Sequence, residues 1–145
     1  MISAVTIIKD ILVEKGVGTF NATGSIGTIT IGKMPATPDA CVVVSPSGGG
    51  SPDPKWRLDY PSVQVRVRGP KNDYVSAETK AKQVRAALLG LFSRIIPGGK
   101  LYSVTMPGDY TFLGWDDNLR PEFSLNFRLI LELDEVDNRE PLALY

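Results

Sequence analysis

Two stretches of strict alternation, residues 62–68 and 123–132, constrain this chain more than any other feature it has. In the first, Val63, Val65 and Val67 fall on one side of an extended backbone, with Gln64, Arg66 and Arg68 on the other. In the second, Phe123, Leu125, Phe127, Leu129 and Leu131 share a side opposite Ser124, Asn126 and Arg128. A period of two, carried by β-branched and aromatic residues, marks a strand with one side in a core and the other outside it. Two such strands require a sheet with one covered face and one polar face. The polar face then holds Gln64, Arg66, Arg68, Ser124, Asn126 and Arg128. It can serve as solvated surface, as contact with a neighbouring subunit, or as the wall of a channel.

The cover is expected from two amphipathic helices. Ala4, Ile7, Ile8, Ile11 and Leu12 form one stripe, with Ser3 as N-cap and Gly16 and Gly18 as the stop. A second helix opens at Asn72 or Asp73 and buries Tyr74, Ala77, Ala81, Val84, Leu88 and Leu91, and Pro97-Gly98-Gly99 terminates that region. Further strands are predicted over 25–31, 41–44 and 101–106. Residues 46–55 contain Ser47-Gly48-Gly49-Gly50-Ser51-Pro52-Asp53 and read as a flexible surface loop, and 133–145 as a C-terminal tail. The 145 residues suit a single domain. The expected fold class is α+β: a mixed, mainly antiparallel sheet with amphipathic helices packed on one face.

Side-chain chemistry narrows the function. The chain has no histidine and one cysteine, which removes Ser-His-Asp and Cys-His catalysis, the common zinc sites and an intramolecular disulfide. Cys41, set in Ala40-Cys41-Val42-Val43-Val44, is expected to be buried and inert. Sixteen Lys and Arg balance sixteen Asp and Glu, so the chain lacks the basic excess of a free-standing nucleic-acid binder and the net charge that opposes self-association. The start, Met1-Ile2-Ser3-Ala4-Val5, has no basic stretch followed by an apolar core, so no signal peptide is expected. No apolar run approaches the ~20 residues that span a bilayer. Gly48-Gly49-Gly50 lacks the lysine and following helix of a phosphate loop. No cofactor is implied.

One carboxylate group stands out. Asp116-Asp117-Asn118, with Glu122 close behind, has side chains that bind divalent cations or act as acid and base. The spacing is not that of a calcium loop, and Asp-Asp-Asn equally builds a turn. A carboxylate-dependent metal-binding hydrolase is therefore the alternative from the enzyme class. Trp56 and Trp115 border loops, as partly buried anchors or as interface residues.

Two segments in order carry a resemblance. Tyr60-Pro61-Ser62-Val63-Gln64-Val65-Arg66-Val67-Arg68-Gly69, followed by the helix from Asp73, resembles the central strand–helix block of bacteriophage tail terminator proteins, also known as minor capsid or tail-completion proteins. Phe112-Leu113-Gly114-Trp115-Asp116-Asp117-Asn118-Leu119-Arg120-Pro121-Glu122-Phe123-Ser124-Leu125-Asn126-Phe127 resembles the family's Gly-x-Asp turn, Arg-Pro-x-Phe-Ser and Asn-Phe strand. The chain departs at Leu119, where the family pattern closes the turn with a glycine.

The resemblance implies a non-enzymatic virion protein, assembled in the host cytoplasm. Its subunits form a ring, typically six-fold, on the last layer of the tail tube, ending polymerisation and presenting a head–tail joining surface. Its partners would be other copies of itself, the tail tube protein, head–tail connector proteins and DNA passing through the lumen without sequence-specific contact, with no membrane. Gln64, Arg66, Arg68, Asn126 and Arg128 are then candidates for the oligomer or lumen surface, and Trp56, Trp115, Asp116, Asp117 and Arg120 for loop contacts. Another head–tail connector component or a tail tube subunit is the alternative within virion biology.

Overall fold

A computed structural model describes residues 3–21, 28–53 and 56–134. Among these, two helices and eight strands follow one another as α1 (Ala4–Glu14), β1 (Ile29–Ile31), β2 (Cys41–Gly49), β3 (Leu58–Asp59), β4 (Pro61–Arg68), α2 (Tyr74–Leu88), β5 (Phe92–Ile96), β6 (Gly99–Thr105), β7 (Thr111–Trp115) and β8 (Pro121–Leu133). The main sheet runs β1-β2-β4-β8-β6-β5. Every pairing is antiparallel except the parallel β1–β2 contact. The chain is α+β, as its alternation predicts.

The two alternating stretches are direct neighbours. β4 pairs with β8 from Ser62 opposite Arg128 to Arg68 opposite Glu122. Facing residues in antiparallel strands point the same way, so Val63, Val65 and Val67 meet Phe127, Leu125 and Phe123 on one face. All six are fully buried, and both helices pack on that side. Fully burying each of these valines or phenylalanines contributes about 1.5–3 kcal/mol.

Both helices begin with side-chain caps. The Ser3 hydroxyl accepts from the Thr6 N–H at 3.3 Å. The Asp73 carboxylate accepts from the Ser76 N–H at 3.0 Å and its hydroxyl at 2.7 Å, so Asp73 rather than Asn72 is the second cap. Ala77, Ala81, Val84 and Leu88 are fully buried as expected, whereas Tyr74 stays more than a third exposed and Leu91 lies beyond the helix end, partly buried against the core. Gly69 sets the strand-to-helix spacing: a Cβ there would lie 2.6 Å from the Ala77 Cβ.

Several boundaries differ from the sequence reading. β2 continues through Pro46 to Gly49, into the segment read as loop, because Gly49 takes φ +126° and pairs with Pro61 across a bulge. A Cβ at Gly49 would lie 2.2 Å from the Tyr60 carbonyl oxygen. Pro97-Gly98 does not end the helical region; Gly90 does, and Pro97-Gly98 turns the β5–β6 hairpin. Leu133 belongs to β8 rather than to a tail. Of the strand read over 25–31, residues 25–27 lie outside the described residues, as do 54–55 of the loop and 135–145 of the tail. Cys41 is buried beside the Met34 sulfur at 3.1 Å, and burial pushes its thiol pKa up against the opposing pull of Arg68 and Arg120.

Candidate functional site

The sheet face opposite the helices is arranged in rows set by strand register. Arg68 lies beside Glu122 and Cys41; Arg66 beside Ser124 and Val43; Gln64 beside Asn126 and Ser45; Ser62 beside Arg128, which is followed by Thr105. The same register puts Phe92, Ser103 and Ile130 in one further row, and Ile95, Lys100, Glu132 and Leu58 in the last. Gln64, Arg66, Arg68, Asn126 and Arg128 thus share one face, but its ends have different characters.

The Arg68 end is closed, which corrects its reading as an outward-facing arginine. Arg68 is only 3% exposed, because residues 35–39 cross over it and their carbonyl groups take its protons. Its Nε donates to the Asp39 carbonyl oxygen at 2.8 Å, and its Nη2 to those of Pro35 at 2.6 Å and Pro38 at 2.9 Å. Arg120 is also withdrawn, at 7% exposed, and so is not a free loop contact. It donates to the Asp116 carboxylate at 2.7 Å, the Ala36 carbonyl oxygen at 2.8 Å and the Asp39 carboxylate at 3.2 Å. Two buried guanidinium groups therefore staple one loop across the end of the sheet.

Asp116 is spent in the same way. Its Oδ1 accepts from the backbone N–H groups of Asn118 and Arg120, both at 2.9 Å. Partial burial raises its pKa, but the hydrogen bonds from Arg120 and Asn118 and the Arg120 charge outweigh that and hold it below the ordinary value. Glu122 pairs with Arg66 at 3.3 Å, and Asp117 points outward. Asp116, Asp117 and Glu122 do not converge, and among the described residues no group of three or more His, Cys, Asp or Glu is placed to hold a metal. The turn closes on Leu119 at φ +59°, the left-handed region that favours glycine.

The other end of the face is open, polar around Ser62, Thr105 and Arg128 and apolar around Trp56, Leu58 and Ile130. A cleft of about 640 Å³ lies among Gly49, Tyr60, Thr105, Arg128 and Ile130, and a second of about 500 Å³ among Trp56, Leu58, Tyr60, Tyr102 and Ile130. They share Tyr60 and Ile130 and make one trough. Trp56 is 61% exposed, and beside the trough Phe92 and Ile95 are 81% and 76% exposed. Sequence reasoning passed over Phe92, Ile95, Tyr60 and Ile130. One signal was there: Ile130 is the apolar residue on the otherwise polar row of β8.

A second exposed apolar group surrounds β7, where Trp115, Leu113, Leu119 and Val75 reach solvent. Phe112 anchors it, stacking edge-on against Tyr74 at 5.1 Å and packing beside Phe123 at 5.2 Å between ring centres.

Against families of known proteins, residues 11–133 match the model described as bacteriophage tail terminator protein. The chain belongs to that family. The match spans the end of α1, all of α2 and every strand, including every residue of the helix-free face. No curated protein sequence matches the chain. The tail terminator is a structural component of the virion, and among its described residues no helix is long and apolar enough to cross a membrane.

Proposed function

We propose that this tail terminator closes into a ring, six-fold as in the family pattern, at the head-proximal end of the phage tail. There it stops the addition of tail tube subunits and offers the joining surface for the head–tail connector. The work is geometric and involves no bond-making. DNA passes through the lumen without sequence-specific contact, consistent with a chain whose basic and acidic residues balance at sixteen each.

The observation that carries this reading is the helix-free face. A sheet face of a solitary domain is ordinarily polar throughout or covered, whereas here a polar centre at Gln64, Arg66, Asn126 and Arg128 runs into an open trough whose far part, around Trp56, Leu58 and Ile130, is apolar. Both outer strands of the main sheet, β1 and β5, also lack a second neighbour among the described residues, and unpaired backbone at a sheet edge accepts another chain. Gln64, Arg66, Asn126 and Arg128 face the lumen or the next copy. The segments at residues 47–54 and 109–121 touch neighbouring virion layers.

Size-exclusion chromatography with light scattering tests the reading. The expected result is a ring, or a monomer that becomes one on tail tips and restores tail length to a phage lacking the gene. Long tubes of the isolated protein would identify a tube subunit instead. A strict monomer that neither binds tails nor corrects their length would overturn the proposal.

A further inference from the structure

The two exposed apolar patches lie at opposite ends of β8 and on opposite sides of the sheet. The trough, with Trp56, Tyr60 and Ile130, is on the helix-free side. The β7 patch is on the helix side, since Phe112 pairs with Phe123 and touches Tyr74 of α2. β8 fixes their separation. From Pro121, which pairs with Trp115, to Ile130 in the trough, a strand spans about 30 Å. The two patches cannot meet within one subunit.

Glu132 also lines the trough but accepts from the Tyr102 hydroxyl, which leaves one unpaired charge on each patch, opposite in sign. Arg128 stands in the trough wall, and Asp117 stands at the tip of the turn that follows β7. Both are exposed, and neither side chain has an ion pair or hydrogen bond among the described residues. Each patch thus offers apolar side chains with one uncommitted charge beside them, and the charges are opposite in sign. An apolar centre with a polar rim is the general anatomy of a protein–protein contact.

We propose that the β7 arm of one copy seats in the trough of the next. Leu113 and Trp115 lie against Trp56, Tyr60 and Ile130, and Asp117 meets Arg128. This rests on the ring reading and names its interface. Because arm and trough lie on opposite sides of the sheet at opposite ends of β8, we take the contact as head-to-tail, the kind that propagates around a ring, rather than as a reciprocal two-fold exchange.

The test is a charge swap in the full chain. Asp117→Arg and Arg128→Asp are made singly and together, and the two single variants are also mixed in equal amounts. Thermal unfolding checks that each is folded, and light scattering against concentration gives the assembly midpoint. Each single variant is expected to raise that midpoint by about tenfold or more, since every contact then opposes like charges. The double variant and the mixture are expected to recover assembly, because every contact again joins opposite charges; a six-fold ring is even and admits the alternation. If the chain assembles only on tails, the same samples are compared by the yield of infectious particles. Wild-type rings whose assembly is unchanged by either single reversal would overturn this interface alone, as would single defects that neither the double variant nor the mixture repairs. A wild type that never assembles, in solution or on tails, removes the ring reading itself.

Discussion

Arg68, at the end of β4, and Arg120, in the turn before β8, close on the same residue: Arg68 donates to the Asp39 carbonyl oxygen at 2.8 Å and Arg120 to the Asp39 carboxylate at 3.2 Å. The loop over residues 35–39 thus has little apolar anchoring of its own but is held by charge-assisted hydrogen bonds, which are about twice as strong as neutral ones. It seals the end of the sheet that carries Cys41 and Val43, leaving only the opposite end of that face for contact.

Arg120→Ala should therefore be costly. It removes the side-chain donor from Asp116 Oδ2 and from the Asp39 carboxylate and the shorter of the two donors to the Ala36 carbonyl oxygen. A loss of about 2–4 kcal/mol is expected in urea unfolding, below the full range for a buried pair because Asp39 is half exposed. Arg120→Lys should recover less than half, since one ammonium cannot reproduce a planar fork with acceptors on several sides.

Acid should weaken the fold in a definite direction. Asp116, Asp73 and Asp109 all have pKa values lowered by folding. For Asp116 the hydrogen bonds from Arg120 and Asn118 outweigh burial, for Asp73 the bonds from Ser76 dominate, and for Asp109 those from Tyr110 and Arg85. A carboxylate with a lowered folded value stabilises fully above its unfolded value, here 3.8, and that contribution disappears as the pH falls through the lower folded value. Unfolding midpoints measured from neutral pH downward should be flat at first and then fall below about that point. Asp116→Asn should flatten the acid limb while lowering stability at neutral pH; an unchanged limb would count against the turn network as its source.

Leu119→Gly should stabilise the protein. Leu119 is exposed at φ +59°, where a side chain costs about 1–2 kcal/mol, partly offset by the extra freedom that glycine has in the unfolded chain. A gain of about 0.5–1 kcal/mol is expected in thermal unfolding.

Gly69→Ala should do the reverse. Its new methyl would meet Ala77 and push α2 from the sheet, at a cost of about 1–3 kcal/mol in chemical unfolding. Gly108→Ala, with nothing within 4 Å of its Cβ position, is the neutral control.

Much of the fold was legible where one signal acted alone. Val63 to Val67 and Phe123 to Leu131 alternate without interruption, and register then placed them side by side. Ser3 and Asp73 announced both helices through side chains that satisfy the first free N–H groups. β5 escaped because Ser93, at φ +55°, breaks its alternation, and β7 because Gly114, at φ +115°, does the same across a bulge. The site was only half legible for a related reason. Alternation assigns a side chain to a face but does not reveal what crosses that face, so Arg66 and Arg68 look equivalent in the chain. The loop that covers Arg68 is separated from it by about thirty residues, and no local pattern joins the two.

β8 is thirteen residues long and carries the β7 arm at its start, the core in its middle and the trough at its finish. Such a strand behaves as a gauge block. Lengthening it by one residue would turn every later side chain to the wrong face, so the distance between the two ends is not free to drift. The angle between its two ends can still vary with the twist of the strand, while its length is locked by the packing of its own inward phenylalanines and leucines.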